Sequence, residues 1–299
     1  MAGALSLRSE FVTERRPRRS MLFMPADNER ALAKAKSLSC DGVILDLEDA
    51  VAPPMKAHAR DNAVEAVKSG EYGHRELIVR VNGLDTEWWQ DDVLGVAAVK
   101  PAAILIPKVE SAETVRAVSD KIEETGAKDT AVWAMLETPM AYLRAEEIAA
   151  SSARLSCFIV GTNDLVKDLR AKHTKTREPV ITALGLAMLT ARAYGLTILD
   201  GVYNDFRNSD GFWDECLQAR DMGFDGKTLI HPAQIDGANE AFGPSSEDIL
   251  YAERLIEAFH LAEQVGKGVA VLDGKMIEDL HVEEARRTLA IAAAIACGI

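Results

Sequence analysis

Nothing in this chain reads as a membrane span, a disulfide frame or a phosphate-binding loop. No run approaches the ~18 consecutive apolar residues that crossing a bilayer requires, although 48% of the chain is hydrophobic. The N-terminal stretch has no apolar signal core and includes Glu10 and Glu14, so no secretory leader is expected. The four cysteines, Cys40, Cys157, Cys216 and Cys297, lie far apart without CxxC spacing. That argues against a zinc knuckle and a disulfide framework, and predicts a soluble, cytoplasmic protein. No GxGxxG follows a strand-like run and no GxxxxGK[ST] occurs, which leaves nucleotide cradles unsupported. Positive charge is also short: 34 Lys+Arg face 47 Asp+Glu, a formal charge of −13. Such a surface repels nucleic acid and anionic membranes. The exception is "RRPRRS", Arg15–Ser20, which reads either as a solvated tail or as a local anion site.

What the chain does have is alternation. Short β-branched and apolar runs predict strands at Met21–Pro25, Gly42–Leu47, Leu77–Val81, Ala103–Pro107, Ala131–Leu136, Cys157–Gly161, Thr197–Gly201 and Lys227–His231. Amphipathic stretches such as Glu29–Leu38, Ala57–Lys68, Ser111–Glu124, Ala141–Ala150 and Phe212–Met222 predict helices between them. Eight β units separated by helices imply an α/β protein with a parallel sheet, and eight strands close a (β/α)8 TIM barrel. An open doubly wound sheet is the alternative. The expected division is a catalytic barrel over residues 18–236 and a C-terminal helical extension over 237–299. In the extension, Ile249–Gly266 reads as a helix, followed by a hairpin-like segment and a last helix rich in Ala and Ile.

Chemistry in such barrels sits at the C-terminal ends of the strands. There the sequence places Asp27 and Asn28; Asp46, Glu48 and Asp49; Arg80 and Asn82; Lys108; Glu137; Asp164; Asp200 and Asp205; and His231 with Pro232. Glu137 and Asp164 end neighbouring strands, about 5 Å apart, so both carboxylates can reach one ion. Two oxygen ligands with room for water and substrate suit Mg²⁺. The competing reading makes both residues helix caps or salt-bridge partners. Arg80 faces the same mouth and offers bidentate bonds to a carboxylate or to a developing enolate oxygen. It can pair with Asp46 or Glu48 as well, and Asp46, Glu48 and Asp49 would then orient Arg80 and the waters of the metal. Direct ligation by Glu48 or Asp49 remains an alternative.

The stretches "RRSMLFMPADNERALAKA", "DGVILDLEDAVAPPMKAHAR", "LIVRVNG", "AILIPKVES", "MLETPMA", "FIVGTNDL" and "GFDGKTLIHPAQIDGANEAFGPS" resemble, in order and spacing, the citrate lyase β-subunit-like branch of the HpcH/HpaI aldolase superfamily. The resemblance implies a Mg²⁺-dependent TIM-barrel lyase that cleaves or forms a 3-hydroxyacyl-CoA, such as malyl-CoA or citramalyl-CoA, from acetyl-CoA and a 2-keto acid. A related thioesterase activity belongs to the same reading. It implies Glu137 and Asp164 as metal ligands and Arg80 as the substrate arginine. Arg19, His231 and Pro232 fall where relatives contact CoA. Lys56 and Arg60 fit CoA phosphates or, equally, a solvated helix face.

In CoA-dependent relatives the extension resembles a lid that crosses to a neighbouring subunit and carries a catalytic acid in an M-I-D pattern, which implies a homotrimer or homohexamer. Here the pattern is Met276–Ile277–Glu278, with Asp279 next. Glu278 is therefore the expected proton-transfer residue and Asp279 its rival. The competing functions are a metal-dependent aldolase on free 2-keto acids and a non-catalytic binding or assembly barrel.

Overall fold

In the computed structural model, which describes residues 16–264, 266 and 268–298, eight parallel strands close into a barrel in sequence order. Arg15 of the basic stretch, with Glu10 and Glu14, lies outside the described residues. The strands are β1 (Ser20–Pro25), β2 (Gly42–Asp46), β3 (Glu76–Arg80), β4 (Ala103–Ile106), β5 (Ala131–Leu136), β6 (Leu155–Val160), β7 (Thr197–Asp200) and β8 (Gly226–Leu229). β1 pairs with both β2 and β8, which closes the ring.

Along a strand, side chains alternate between the lumen and the helical shell. The lumen is filled by Met21, Ile44, Ile78, Leu105, Trp133, Met135, Cys157, Ile159 and Leu199. Two residues beyond Ile44, Ile78, Met135 and Ile159 stand Asp46, Arg80, Glu137 and Gly161. Register sets the first two level, because Pro25 pairs with Asp46 and Asp46 with Arg80. The packed core therefore ends where the polar residues begin.

Caps start several of the helices between strands. Asn28 accepts the Ala31 N–H to open Glu29–Ala35, and Ser111 accepts the Thr114 N–H to open Ala112–Glu124. These bonds satisfy backbone donors that lack helical partners. The single helix expected over Ala141–Ala150 is instead two short ones, Pro139–Leu143 and Ala145–Ala149. The first starts earlier because Thr138 caps it and Pro139 suits its first turn; the break falls at Arg144, whose φ of −111° leaves the helical range.

The chain separates into two compact units, the barrel over Arg18–Ala241 and a second unit from Phe242 onward. In the second, helices Ser246–Gln264 and Asp279–Cys297 flank a hairpin of β9 (Ala270–Leu272) and β10 (Lys275–Ile277). The hairpin turns on Asp273 and Gly274, with φ of +49° and +77°, the pair that a tight type I′ turn favours. Leu255, Phe259, Ile277 and Val282 form its core. Among the described residues no helix is long and apolar enough to cross a membrane.

Candidate active site

At the C-terminal mouth of the barrel lies a cavity of about 390 Å³, lined among others by Phe23, Asp46, Asp49, Arg80, Glu137 and Asp164. Arg80 is buried and grips Asp46 bidentately, Nε to Oδ1 at 2.7 Å and Nη2 to Oδ2 at 2.6 Å. Its Nη1 lies 3.0 Å from Glu48 Oε2 and 3.8 Å from Asp49. The Phe23 ring centroid is 4.8 Å from the guanidinium, a cation–π distance. Burial opposes the charge, but Asp46 and Glu48 outweigh it and raise the Arg80 pKa. Arg80 is a fixed cation facing the cavity.

The loop after β2 is tied down from beneath. Asp46 accepts the N–H groups of Glu48 and Ala50, while the buried Lys56 Nζ donates to the carbonyls of Leu47 and Glu48, each at 2.8 Å. Arg60 Nε donates to Asp92 at 2.8 Å, and Asp92 also receives the side chain and N–H of Asn82. Both expectations for Lys56 and Arg60 are thus corrected: neither forms a solvated face and neither points outward to meet a phosphate. Their charges are consumed by the loop and by Asp92.

Glu137 is buried, and its Oε1 accepts the Lys108 N–H at 2.7 Å. Burial pushes its pKa up to about 7; the Lys108 N–H and Arg80 counter this, while Glu48 and Asp164 add to it. Asp164 sits in the first turn of helix Thr162–Asp168, half-buried on the same cavity. The capping alternative does not hold, because Thr138 caps the helix after β5 and Gly161 occupies the cap position after β6. No salt bridge among the described residues involves either carboxylate. Nor does a third His, Cys, Asp or Glu join them in a ligand cluster among those residues. Two unpaired oxygen donors, with the remaining positions open to water and substrate, fit Mg²⁺.

Glu48 is bonded by Lys108 Nζ at 2.7 Å and touched by Arg80. Burial raises its pKa against both cations. With Asp46 it buttresses Arg80, while Asp49 is exposed at the rim.

Other expected site residues fall elsewhere. Arg19 precedes β1, so it lies at the N-terminal end of the barrel, and its guanidinium is committed to Asp41 at 2.7 and 2.9 Å. A residue before a parallel strand does not share the mouth with residues after one, so Arg19 lies apart from Arg80, Glu137 and Asp164. Asp200 ends β7 but follows the lumen residue Leu199, so it faces the shell, where Lys227 and Arg177 hold it. His231 and Pro232 follow β8 beside the mouth, but Ile230, not they, lines the cavity. His231 Nδ1 accepts the Ala233 N–H and its ring stacks on Phe206 at 4.5 Å. Glu278 and Asp279 open the last helix of the second unit, where the Glu278 N–H donates to His281 Nδ1 at 3.1 Å. Gly161 and the Lys108 backbone, which the sequence reading did not single out, frame Glu137; the period of two in β6 points to Gly161.

The profile of the HpcH/HpaI aldolase/citrate lyase family matches residues 19–232. A (3S)-malyl-CoA thioesterase of Cereibacter sphaeroides is 54% identical over 94% of this chain and 96% of its own. The citrate lyase β subunit of Escherichia coli is 34% identical over 92% and 93%. Among solved structures, protein CitE of Mycobacterium tuberculosis, solved with magnesium, acetoacetate and coenzyme A, is 28% identical with a TM-score of 0.76, covering 93% of this chain and 99% of that one. The barrel, its mouth and these likenesses together place the chain in the HpcH/HpaI aldolase/citrate lyase family.

Proposed function

We propose that this chain is a Mg²⁺-dependent enzyme of malyl-CoA-type 3-hydroxyacyl-CoA thioesters, and that it hydrolyses them to the free hydroxy acid and CoA. The observation that carries the reading is the convergence of two unpaired carboxylates and one buttressed arginine on a single cavity, in a chain 54% identical to a malyl-CoA thioesterase. Glu137 and Asp164 would hold the metal. Magnesium, when bound, would bind the 2-hydroxycarboxylate end of the substrate and offset the charge of these two acids. Arg80 faces the thioester end and stabilises its carbonyl oxygen as negative charge develops there. Asp46 and Glu48 keep the guanidinium from following the substrate out. In hydrolysis, water adds to the thioester carbon, the C–S bond breaks and CoA leaves as the thiol.

Carbon–carbon cleavage is the second reading, and the same geometry supports it. The hydroxyl would lose its proton, the bond to the α-carbon would break, and a 2-keto acid would form beside an acetyl-CoA enolate. Arg80 would steady the enolate oxygen, and Glu278 of a neighbouring copy of the chain would protonate its carbon. Incubation of malyl-CoA and citramalyl-CoA with enzyme and Mg²⁺, with products read by mass, decides. Malate or citramalate with free CoA is expected; acetyl-CoA with glyoxylate or pyruvate establishes the lyase. Turnover of free 2-keto acids alone would point to the aldolase alternative, and no turnover of any of these to a binding barrel. Should the lyase hold, Glu278→Gln is expected to lower turnover by ~10²–10⁴-fold, against little change for Asp279→Asn. A homotrimer or homohexamer is also proposed, supported by Leu250, Leu261, Val271 and Leu280 exposed on the second unit; a monomer by light scattering would refute it.

A further inference from the structure

Glu137 is held from two sides. On one, the Lys108 N–H donates to Oε1 at 2.7 Å. On the other stands Gly161, where any Cβ would lie 2.4 Å from Glu137 Cβ and 2.6 Å from Oε2. That gap cannot admit a side chain, so the position keeps Oε2 free beside the turn that carries Asp164.

Lys108 presents its N–H from an unusual backbone. Its φ is +49°, in the left-handed region that few residues other than glycine enter, with asparagine among the more tolerant. Conformations of this kind persist where the surroundings over-determine them, and they gather at functional sites. Here the constraint is visible, since Lys108 Nζ is anchored on Glu48 at 2.7 Å while the side chain stays half in solvent. A lysine that only needed to pair with Glu48 would not require a left-handed backbone.

We infer that Lys108 is a positioning residue for the cation site, and that it acts through its left-handed backbone N–H rather than through its ammonium group. The N–H fixes the rotamer of Glu137, Gly161 leaves room for the second oxygen, and the carboxylate is presented to a cation already oriented. Ordering before binding strengthens affinity because less freedom is lost on association. The inference rests on the reading that Glu137 is a metal ligand.

Three variants separate backbone from charge, because all three remove the ammonium. Lys108→Gly and Lys108→Asn accept a positive φ, whereas the β-branched Lys108→Val resists it. Mn²⁺ binding to the purified protein, followed by electron paramagnetic resonance of the free ion, needs no substrate and no turnover. Lys108→Gly and Lys108→Asn are expected to bind within about 3-fold of the parent, and Lys108→Val ~10–100-fold more weakly, the scale on which residues supporting a ligand act. If Lys108→Val fails to fold, Lys108→Ala takes its place and should bind more weakly than Lys108→Gly. Equal weakening in the Gly and Asn variants would assign the effect to the ammonium and overturn the inference. So would parent-like binding in Lys108→Val, or equal binding by the Ala and Gly variants where Ala is the substitute. Glu137→Gln is the control: if it binds Mn²⁺ like the parent, the reading of Glu137 as a ligand has failed, independently of anything Lys108 does.

Discussion

Two clusters of buried charge in the barrel wall differ in what is left over. At the mouth, Arg80 is shared by Asp46, Glu48 and Asp49, Lys108 adds to Glu48, and Glu137 and Asp164 stand beside them without a cation. Behind the wall, Asp200 is held by Arg177 at 2.7 Å and by Lys227 at 2.6 Å, and Lys227 also meets Glu215 at 2.7 Å. In the rear cluster, every carboxylate has a cation. Glu137 and Asp200 are both buried, yet burial has opposite outcomes for them. Asp200's pKa is pushed up by burial but brought below its ordinary value by Lys227 and Arg177, whereas Glu137's rises to about 7. Desolvation acts on both; only the partners differ. A buried carboxylate without a cation is free to take one, whereas one whose cations are built in braces the wall.

The largest effect should come from unmaking the brace. Asp200→Asn leaves two buried cations facing each other without their shared anion. Breaking a buried network from one side costs about 3–5 kcal/mol, so the melting temperature should fall by several degrees while turnover per folded molecule stays near the parent's. Thermal melts with active-site titration check this. A collapse of turnover at unchanged stability would instead return Asp200 to the active site, where its position at a strand end first suggested it belonged.

At the mouth the balance should reverse. Asp164→Asn is expected to lower Mg²⁺-dependent turnover by ~10²–10³-fold, as the loss of a preorganised electrostatic partner does, with a melting temperature close to the parent's. Arg80→Lys should cost a similar factor, since an ammonium cannot hold Asp46 bidentately and meet substrate too. Steady-state kinetics across a Mg²⁺ titration reads both. Full activity of Asp164→Asn at the parent's Mg²⁺ requirement would dissolve the distinction between the clusters.

How far this contrast could be read from sequence depends on the phase of each strand. β2 and β3 end on Asp46 and Arg80, and Glu137 directly follows β5, so the convergence of these three on one mouth was legible from their place at strand ends. β7 is only Thr197–Asp200, too short for its alternation to separate a lumen residue from a shell residue, and Asp200 was placed on the wrong face. Helix Glu178–Ala193 has Leu184 buried but Leu186 and Leu189 exposed, which blurs the 3.6-residue period by which helices are recognised. The left-handed turn at Lys108 has no local signature at all, because lysine is not a residue that favours it.

The smallest effect expected is also the one that tests the sign of burial directly. Glu137's ordinary pKa of 4.5 rises to about 7 in the folded chain without a cation. A folded value above the unfolded one means that stability is fully present below about pH 4.5 and is lost as pH rises through about 7. Glu137→Gln removes that loss because glutamine never ionises. In the presence of EDTA the variant should therefore differ from the parent by under about 1 kcal/mol near pH 5 and exceed it above pH 7, by about 1–3 kcal/mol. Saturating Mg²⁺ should reverse the order, because the cation stabilises only the parent's carboxylate and does so more strongly as its proton leaves. Denaturant unfolding at pH 5 and pH 8, with EDTA and with Mg²⁺, gives the four differences required. A variant less stable than the parent at pH 8 in EDTA would mean that Glu137 already has a compensating cation in the folded chain, and that the mouth is braced like the rear.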